Sequence, residues 1–425
     1  MPTIWVTVCP LVLMVGTEYK FRHREVGDSL SGAADPTVLL ELGLYAAVLG
    51  YLLLFVLSPP RLRRPTAILF VMRAYAATMF VSVAYGTYPT LGAVRGAQLL
   101  VMVTCAGAIA GRATRAQMVQ LARGFVILVA GSAVLGIWFR VPYSHLQADR
   151  FSWFYVHPVT AGAMLALALV LTAGLLGEPP RRSHPLDRWL GPLSLVLMAG
   201  MSLALLETRT RGALFAAIPG LALVGYLSTP RRNRLPLAVL GGVATIIPLW
   251  LFAGPIYTFL ARGESAANLA TVSNRTELWS IAFDLVRERP LIGWGLATSR
   301  GIFYKRVGLG GAHNALVNVL VDGGLVGAGL WLALIGAIIV GIVRLSHHGH
   351  RDVPVLSGLL LTLMVNGLTV EGVGSGIGMS ALWLLLLGAW VCVDQREVAS
   401  ALVGRPHAQP DRTSARSRVL ETSGV

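Results

Sequence analysis

The chain has 425 residues, of which 55% are hydrophobic and only 13% are charged. A soluble domain carries about 25% charged residues, and one core cannot remove this much apolar surface from water. The composition therefore excludes a soluble enzyme, a disordered chain, a coiled coil and a small secreted protein. It predicts an all-α, polytopic membrane protein.

The net charge is +15, from 35 basic and 20 acidic residues. In a soluble protein this excess would indicate nucleic-acid binding. Here the basic residues lie mostly in short loops between apolar segments, where membrane topology explains them, so we expect no nucleic-acid partner. Cys9, Cys105 and Cys392 all lie in apolar segments and form neither a disulfide framework nor a zinc-binding pattern.

Twelve apolar segments predict about 12 transmembrane helices, because a span needs about 20 mostly apolar residues. They lie near residues 3–17, 37–57, 66–86, 91–110, 118–139, 158–177, 189–207, 212–228, 236–257, 323–343, 354–370 and 379–394. The first segment lacks a basic flank and a cleavage site, so we interpret it as a span and not as a signal peptide. The transmembrane domain is thus predicted to cover residues 1–395.

Arginines concentrate in alternate loops, and this pattern orients the chain. Examples are Arg61, Arg181, Arg231 and Arg344, together with several arginines after residue 395. The positive-inside rule makes these loops cytoplasmic, and therefore both termini cytoplasmic. The tail at residues 396–425 is rich in Arg, Ser, Pro and Thr, and we expect it to be disordered.

The one long loop, at about residues 261–314, falls on the extracytoplasmic side. Loops of this length without a core of their own are usually functional. Asn274 and Glu277 have the spacing of a capping box, and Pro290 would end the helix that begins there. The apolar positions between them follow helical spacing: Leu278, Ile281, Ala282 and Leu285.

Arginines mark two places on the outer side. Arg275 lies in the first turn of the predicted loop helix, where free N–H groups and a guanidinium make a site for phosphate, or it is a solvated surface arginine. Arg209 and Arg211 lie in a tight turn and oppose the orientation rule. Glu207 can pair with one of them, which leaves the other for an anion or for a lipid phosphate.

His313 ends the long loop, directly before an apolar helix. Histidine can accept a proton from a hydroxyl near neutral pH, although a histidine at a helix start is often only a cap or a structural donor. Glu371, in a glycine-rich outer turn, either lines an acceptor cleft or belongs to a plain turn. His347, His348 and His350 resemble a metal cluster, but only Asp352 supports them, so we interpret them as a solvated loop.

These places together resemble motifs of the O-antigen ligase superfamily, which includes O-antigen polymerases. The similar stretches run mainly from residue 145 to 345: Arg150-Phe151-Ser152 with His157-Pro158, Arg211-Gly212-Ala213, Arg275 with Trp279, Pro290-Leu291-Ile292-Gly293-Trp294-Gly295, and His313-Asn314 followed by Asp322-Gly323-Gly324. Thr210 replaces the usual serine of the family, His157 the usual asparagine and Asp322 the more frequent glutamate. These departures concern the substrate more than the reaction class.

The resemblance implies a bacterial inner-membrane enzyme of cell-envelope polysaccharide biosynthesis. Such an enzyme transfers a glycan from a polyprenyl (undecaprenyl) pyrophosphate donor to a hydroxyl of a glycan or glycolipid acceptor, with inversion and without metal or cofactor. By this resemblance His313 is the catalytic residue, and Arg211 and Arg275 hold the pyrophosphate. We add Arg209, Arg150 and Asn314 to the predicted substrate-binding set. Membrane lipids are further partners, and the resemblance does not separate a ligase from a polymerase.

Two other functions stay open at this point. A metal-dependent transferase that uses polyprenyl-phosphate sugars would need catalytic acids in the first outer loop, where Glu25 and Asp28 lie without the expected spacing. A transporter such as a lipid-linked glycan flippase would spread charges through its spans and would lack a folded outer loop.

Overall fold

The computed structural model describes residues 4–20, 22, 30, 35–57, 66–141, 149–176, 185–261, 275–374 and 377–403. All regular structure among these residues is helical, which confirms the all-α class. In chain order the helices are α1 (Trp5–Glu18), α2 (Pro36–Tyr51), α3 (Ala67–Val81), α4 (Pro89–Arg112), α5 (Arg115–Trp138), α6 (Pro158–Leu175), α7 (Pro185–Glu207), α8 (Arg211–Ser228), α9 (Arg234–Leu251), α10 (Ala253–Ala261), α11 (Arg275–Glu288), α12 (Thr298–Val307), α13 (Ala315–His347), α14 (Val353–Gly367) and α15 (Met379–Val403).

Several of these helices can cross a membrane. Seven are long and apolar enough by length and composition, or eight if the bent pair Arg231–Pro248 and Ala253–Phe259 forms one span. Three shorter apolar helices accompany them: Trp5–Glu18, Leu193–Glu207 and Val353–Gly367. The multi-pass architecture agrees with the sequence, and the count of twelve spans stays a prediction.

The helix predicted in the long outer loop is present as α11. It begins at Arg275 and ends at Glu288, two residues before Pro290. Leu278, Ala282 and Leu285 are at most 1% exposed and pack in a cluster with Phe303 of α12. Their spacing therefore gives the loop a small core of its own. Asn274 lies outside the described residues, so its capping role stays a prediction, and α12 itself was not predicted.

The glycine motifs of the loop and of α13 form one structural unit. At Gly324 the helical path of α13 breaks, with φ 60° and ψ −161°. The main chain of the Pro290–Gly295 turn enters this break, since Pro290 accepts a hydrogen bond from Leu325 N (2.8 Å) and Trp294 N donates to Val321 O (2.8 Å). A Cβ on Gly324 would lie 2.4 Å from the Leu291 carbonyl oxygen, so only glycine fits there.

Asp322 fixes α12 to the same break. Its carboxylate is 1% exposed and accepts hydrogen bonds from Ala297 N (3.1 Å) and Ser299 N (2.7 Å) at the start of α12. These N–H groups have no partner inside their own helix, so Asp322 caps α12 from a different element. The Asp-Gly-Gly motif thus holds α11 and α12 on α13.

At the other end of the bundle, α15 continues to Val403, beyond the predicted start of the tail. Arg396 donates to the carbonyl oxygens of Gly111 and Ala113, at 2.8 Å each, and joins α15 to the turn between α4 and α5. Residues 404–425 lie outside the described residues, and their disorder stays a prediction.

Candidate functional site

The turn that follows α14, at residues 368–371, brings the starts of α8 and α13 together. A Cβ on Gly212 would lie 2.0 Å from Thr369 Oγ1, so the first turn of α8 packs directly on this segment. On its other side, Asn314 Nδ2 donates to the Leu368 carbonyl oxygen at 3.4 Å. Arg211 and His313, which are far apart in the sequence, therefore share one neighbouring segment.

His313 contacts Glu371 within this arrangement. His313 Nδ1 lies 3.5 Å from Glu371 Oε2, and the two side chains are 36% and 30% exposed. The backbone of His313 is left-handed, with φ 50°, a conformation that costs energy for a residue with a Cβ. Tight anchoring holds it: Ala312 N donates to Asn318 Oδ1 at 2.8 Å and Trp279 Nε1 donates to the Ala312 carbonyl at 3.1 Å.

Glu371 is ionised at neutral pH. Burial raises the pKa of this carboxyl. The hydrogen bond and charge of His313, with a smaller contribution from Arg300, together lower the pKa by more than burial raises it, so the net pKa lies below the ordinary glutamate value. A carboxylate in this position orients the imidazole. Glu371 is thus a partner of the histidine, which the interpretation as a plain turn missed.

His157 caps α6 and lies close to the same pair. Its Nδ1 accepts a hydrogen bond from Val159 N at 3.1 Å, so histidine performs the capping that an asparagine could perform there. Burial first, then the positive charge of Arg150, and further His313, lower the pKa of His157 to about 4. His157 is therefore neutral at neutral pH, and its nearness to His313 and Glu371 places the start of α6 at the site.

Arg150 organises the turn before α8. Its Nε donates to the Thr208 carbonyl at 2.9 Å and its Nη2 donates to Thr210 Oγ1 at 2.9 Å. Thr210 Oγ1 in turn donates to the Pro158 carbonyl at 3.1 Å. These contacts use the hydroxyl that serine and threonine share, so the replacement of serine by Thr210 keeps them.

Arg209 and Arg211 have different surroundings. Arg209 has a left-handed backbone (φ 49°) and pairs with Asp149 at 2.9 Å on the exposed rim, whereas we expected Glu207 to pair with an arginine of this turn. A groove of about 880 Å³ lies beside Arg209 and is lined also by Leu206 and Phe259. Arg211 is half-buried and is the first residue of α8, whose N-terminus has no side-chain cap.

Arg275 is the first residue of α11, but its side chain lies outside the description. Trp279, one helical turn later on the same face, bonds to Ala312 beside His313. The backbone of Arg275 is thus one turn away from a contact with the histidine loop. Its approach to an anion stays a prediction.

Asn314 is the N-cap of α13. Its Oδ1 accepts from Val317 N at 3.1 Å, while its Nδ2 donates to Leu368 as described above. Both ends of the amide therefore contact the protein, and these contacts fix the position of His313. Binding of substrate by Asn314 stays a prediction.

Glu371 is the residue of this cluster that the sequence indicates least. The only sequence signal was a single acidic residue in a glycine-rich outer turn, which by itself favours no particular chemistry. Its meaning depends on the packing of α14 beside the start of α13, because this packing sets the 3.5 Å contact with His313.

Comparison with known families gives one match, which covers part of the candidate site. Residues 193–332 match the model of the family described as O-antigen ligase. This range contains Arg211, Arg275 and His313, whereas Arg150 and Glu371 lie on either side of it. No curated protein matches the chain. The predicted resemblance to the O-antigen ligase superfamily is therefore confirmed over residues 193–332.

Proposed function

We propose that the protein is a membrane glycosyltransferase that moves a glycan from a polyprenyl-pyrophosphate donor to an acceptor hydroxyl on a glycan or glycolipid. The family match supports glycan transfer in general. The contact between His313 and Glu371, beside the start of α8, is the observation on which the specific chemistry rests. The proton acceptor, His313, and the positive charge of Arg211 both lie in the matched segment.

Donor binding is assigned to the arginines at the helix starts. Arg211 at the uncapped N-terminus of α8 and Arg275 at the start of α11 would hold the pyrophosphate, because a guanidinium fork and free N–H groups both favour phosphate oxygens. Arg209 lies at the mouth of the groove of about 880 Å³. The apolar wall of this groove, with Leu206 and Phe259, suits the first units of the lipid chain.

Acceptor activation is assigned to His313. Glu371 accepts the Nδ1 proton of the imidazole, which leaves Nε2 free to take the proton of the acceptor hydroxyl. The hydroxyl oxygen then bonds to the anomeric carbon as the bond between that carbon and the phosphate oxygen breaks. The electron pair leaves on the pyrophosphate, where the arginines stabilise the growing negative charge. One displacement of this kind inverts the anomeric centre.

Arg150 and Asn314 act in this mechanism as positioning residues. Arg150 holds the Thr208–Thr210 turn that precedes Arg211, and Asn314 holds the loop that presents His313. Fixed arginine charge takes the part that a metal plays in other glycosyltransferases, so we propose that transfer needs no metal or cofactor.

We place this end of the bundle on the outer face of a bacterial plasma membrane and both termini in the cytoplasm, because arginine-rich loops mark the other end. Asp284 is exposed on α11 and His348 is exposed beyond α13. A membrane-impermeant thiol reagent applied from outside should label Asp284→Cys and not His348→Cys. The three native cysteines are buried and need no replacement. The reverse labelling would contradict the orientation.

The alternatives make different demands. A metal-dependent transferase would rely on Glu25 and Asp28, which lie outside the described residues. A flippase would bind the lipid-linked glycan and move it without breaking the sugar–phosphate bond. Both predict that His313 contributes little to the chemistry.

The test is to replace the chromosomal copy with a His313→Ala variant and to measure lipid-linked glycans and finished polysaccharide in the cells. We expect the donor to accumulate outside the membrane and the polysaccharide to disappear, while His347→Ala, at the far end of α13, behaves as wild type. Accumulated long chains would indicate a ligase, and accumulated single repeats a polymerase. Donor that accumulates inside would contradict a transferase and support a flippase.

A further inference from the structure

Three potential metal ligands meet at the end of α13 opposite His313. His350 lies in the turn between α13 and α14, while Asp394 and Glu397 lie three residues apart on α15 and so share a helix face. One ligand atom of each residue lies within 4.8 Å of the others. In the sequence, Asp352 is the only acidic residue close to His350 that could be a further metal ligand. The sequence does not indicate that α15 packs beside this turn.

The carboxyl group of Asp394 is buried without a hydrogen-bond partner among the described residues. Its side chain is 0% exposed, and neither carboxylate oxygen has a hydrogen-bond partner among the described residues. Burying a carboxylate in this state is unfavourable unless a bound proton or a cation neutralises it.

The neighbouring arginine is already engaged. Arg115 donates to Asp352 through Nε (2.8 Å) and also through Nη2, and Trp390 Nε1 donates to the same carboxylate at 3.0 Å. Asp352 therefore balances the charge of Arg115, and the carboxyl groups of Asp394 and Glu397 lie next to His350.

The geometry at His350 leaves a position for a cation between the imidazole and the Asp394 carboxyl group. Its Nδ1 accepts a long hydrogen bond from Asp352 N (3.4 Å), so this nitrogen carries no proton. The same Nδ1 lies 3.6 Å from Asp394 Oδ2. This separation is close to the value of about 3.4 Å that bonds of 2.0–2.1 Å to one tetrahedral ion would give, and a bound ion would replace Asp352 N as the partner of the Nδ1 lone pair.

We propose that His350, Asp394 and Glu397 bind a divalent transition-metal ion of the Zn²⁺ or Mn²⁺ class. One imidazole and two carboxylates suit these ions, and two carboxylates balance the charge of one such ion. Glu397 is exposed, so the ion can enter from solvent and keep a water ligand. The ion ties α15 to the turn between α13 and α14. This site is separate from the proposed transfer site, and its test needs no transfer assay.

Cobalt is a suitable probe, because its visible absorption reports tetrahedral coordination. Full-length protein without a polyhistidine tag, purified in detergent and dialysed against chelator, should bind one Co²⁺ per chain, and Zn²⁺ should displace it. Asp394→Asn, His350→Ala and Glu397→Gln should each weaken binding at least about 10-fold, while His347→Ala and His348→Ala, exposed histidines of the same region, should leave it unchanged.

If the Asp394→Asn variant does not fold, the effect of Zn²⁺ on the Tm of other variants still tests the proposal. Glu397 is exposed, so Glu397→Gln should fold normally, and Zn²⁺ should raise the Tm of the wild type but not of this variant. Wild-type protein that binds no Co²⁺ would overturn the proposal and indicate a proton on Asp394. Binding that survives Asp394→Asn and disappears in His347→Ala would also overturn it and indicate a surface histidine site.

Discussion

Two histidine–carboxylate contacts lie at opposite ends of α13, and they differ in their surroundings more than in their geometry. His313 is 3.5 Å from Glu371, and His350 is 3.6 Å from Asp394. The first pair is about one-third exposed and has Arg211 at the neighbouring helix start. The second is buried, at 11% and 0% exposure. Access to substrate thus suits the first pair for proton transfer, and burial suits the second for holding a cation.

The arginines also differ in their surroundings. Arg115 donates two hydrogen bonds to Asp352, and Arg150 donates two to the turn before α8, so both stabilise the protein scaffold. Arg211 instead begins a helix beside the site. The residue type alone does not separate these roles, whereas the position of each arginine in the fold does.

Apart from the His313 variants, Arg211 should give the largest effect among the predictions. We expect Arg211→Ala to lower transfer by about 10²–10³-fold, the range seen when one stabiliser of a developing anion is removed. Arg211→Lys should recover only part of the loss, because an ammonium does not reproduce the fork. Transfer by purified protein measures this, with Arg287→Ala, on the exposed face of α11, as the control. Full activity of the lysine variant would exclude bidentate binding.

A change at Glu371 tests whether this carboxylate assists His313 in the proposed transfer reaction. Glu371→Gln removes the charge that orients His313 and should lower the turnover by about 10–100-fold with donor binding unchanged. Asp284→Asn, the same change at an exposed carboxylate of α11, should have no effect. Normal turnover in Glu371→Gln would mean that the contact is only structural.

Chelator should affect thermal stability through the proposed metal site at His350, but it should not affect transfer at the His313 site. Removing divalent ions should lower the Tm, because the proposed cation stabilises the turn at His350, yet transfer well below the Tm should continue. Loss of transfer by protein that is still folded, with recovery on adding Mg²⁺ or Mn²⁺, would favour the metal-dependent alternative.

His157 should give the smallest effect. Its pKa of about 4 means that between about pH 6.5 and 4 the unfolded chain binds a proton that the folded protein does not bind. Stability should therefore fall as the pH drops through this window. His157→Asn keeps a capping oxygen and does not titrate, so its Tm should fall less between pH 7 and pH 5 than that of the wild type. His348→Asn, an exposed site, is the control. Equal changes in Tm would contradict the assignment.

The sequence predicted local features well. The bounds of α11 follow from its apolar spacing and Pro290, and Arg211 and His313 were located next to helix starts because the apolar runs begin there. Partners distant in sequence were not predicted. Asp149 for Arg209, Glu371 for His313 and Asp394 for His350 all depend on which helices pack side by side. Hydropathy does not determine this packing, since the long helices of the bundle are similarly apolar.

Donor binding and turnover, measured separately in purified His313→Ala and His313→Gln, test the central claim most directly. Because the arginines still hold the pyrophosphate, we expect both variants to bind the lipid-linked donor as the wild type does, with turnover about 10²–10⁴-fold lower. His347→Ala should match the wild type in both measurements. Near-normal turnover in His313→Gln would contradict the account, because glutamine can position a hydroxyl but cannot take its proton.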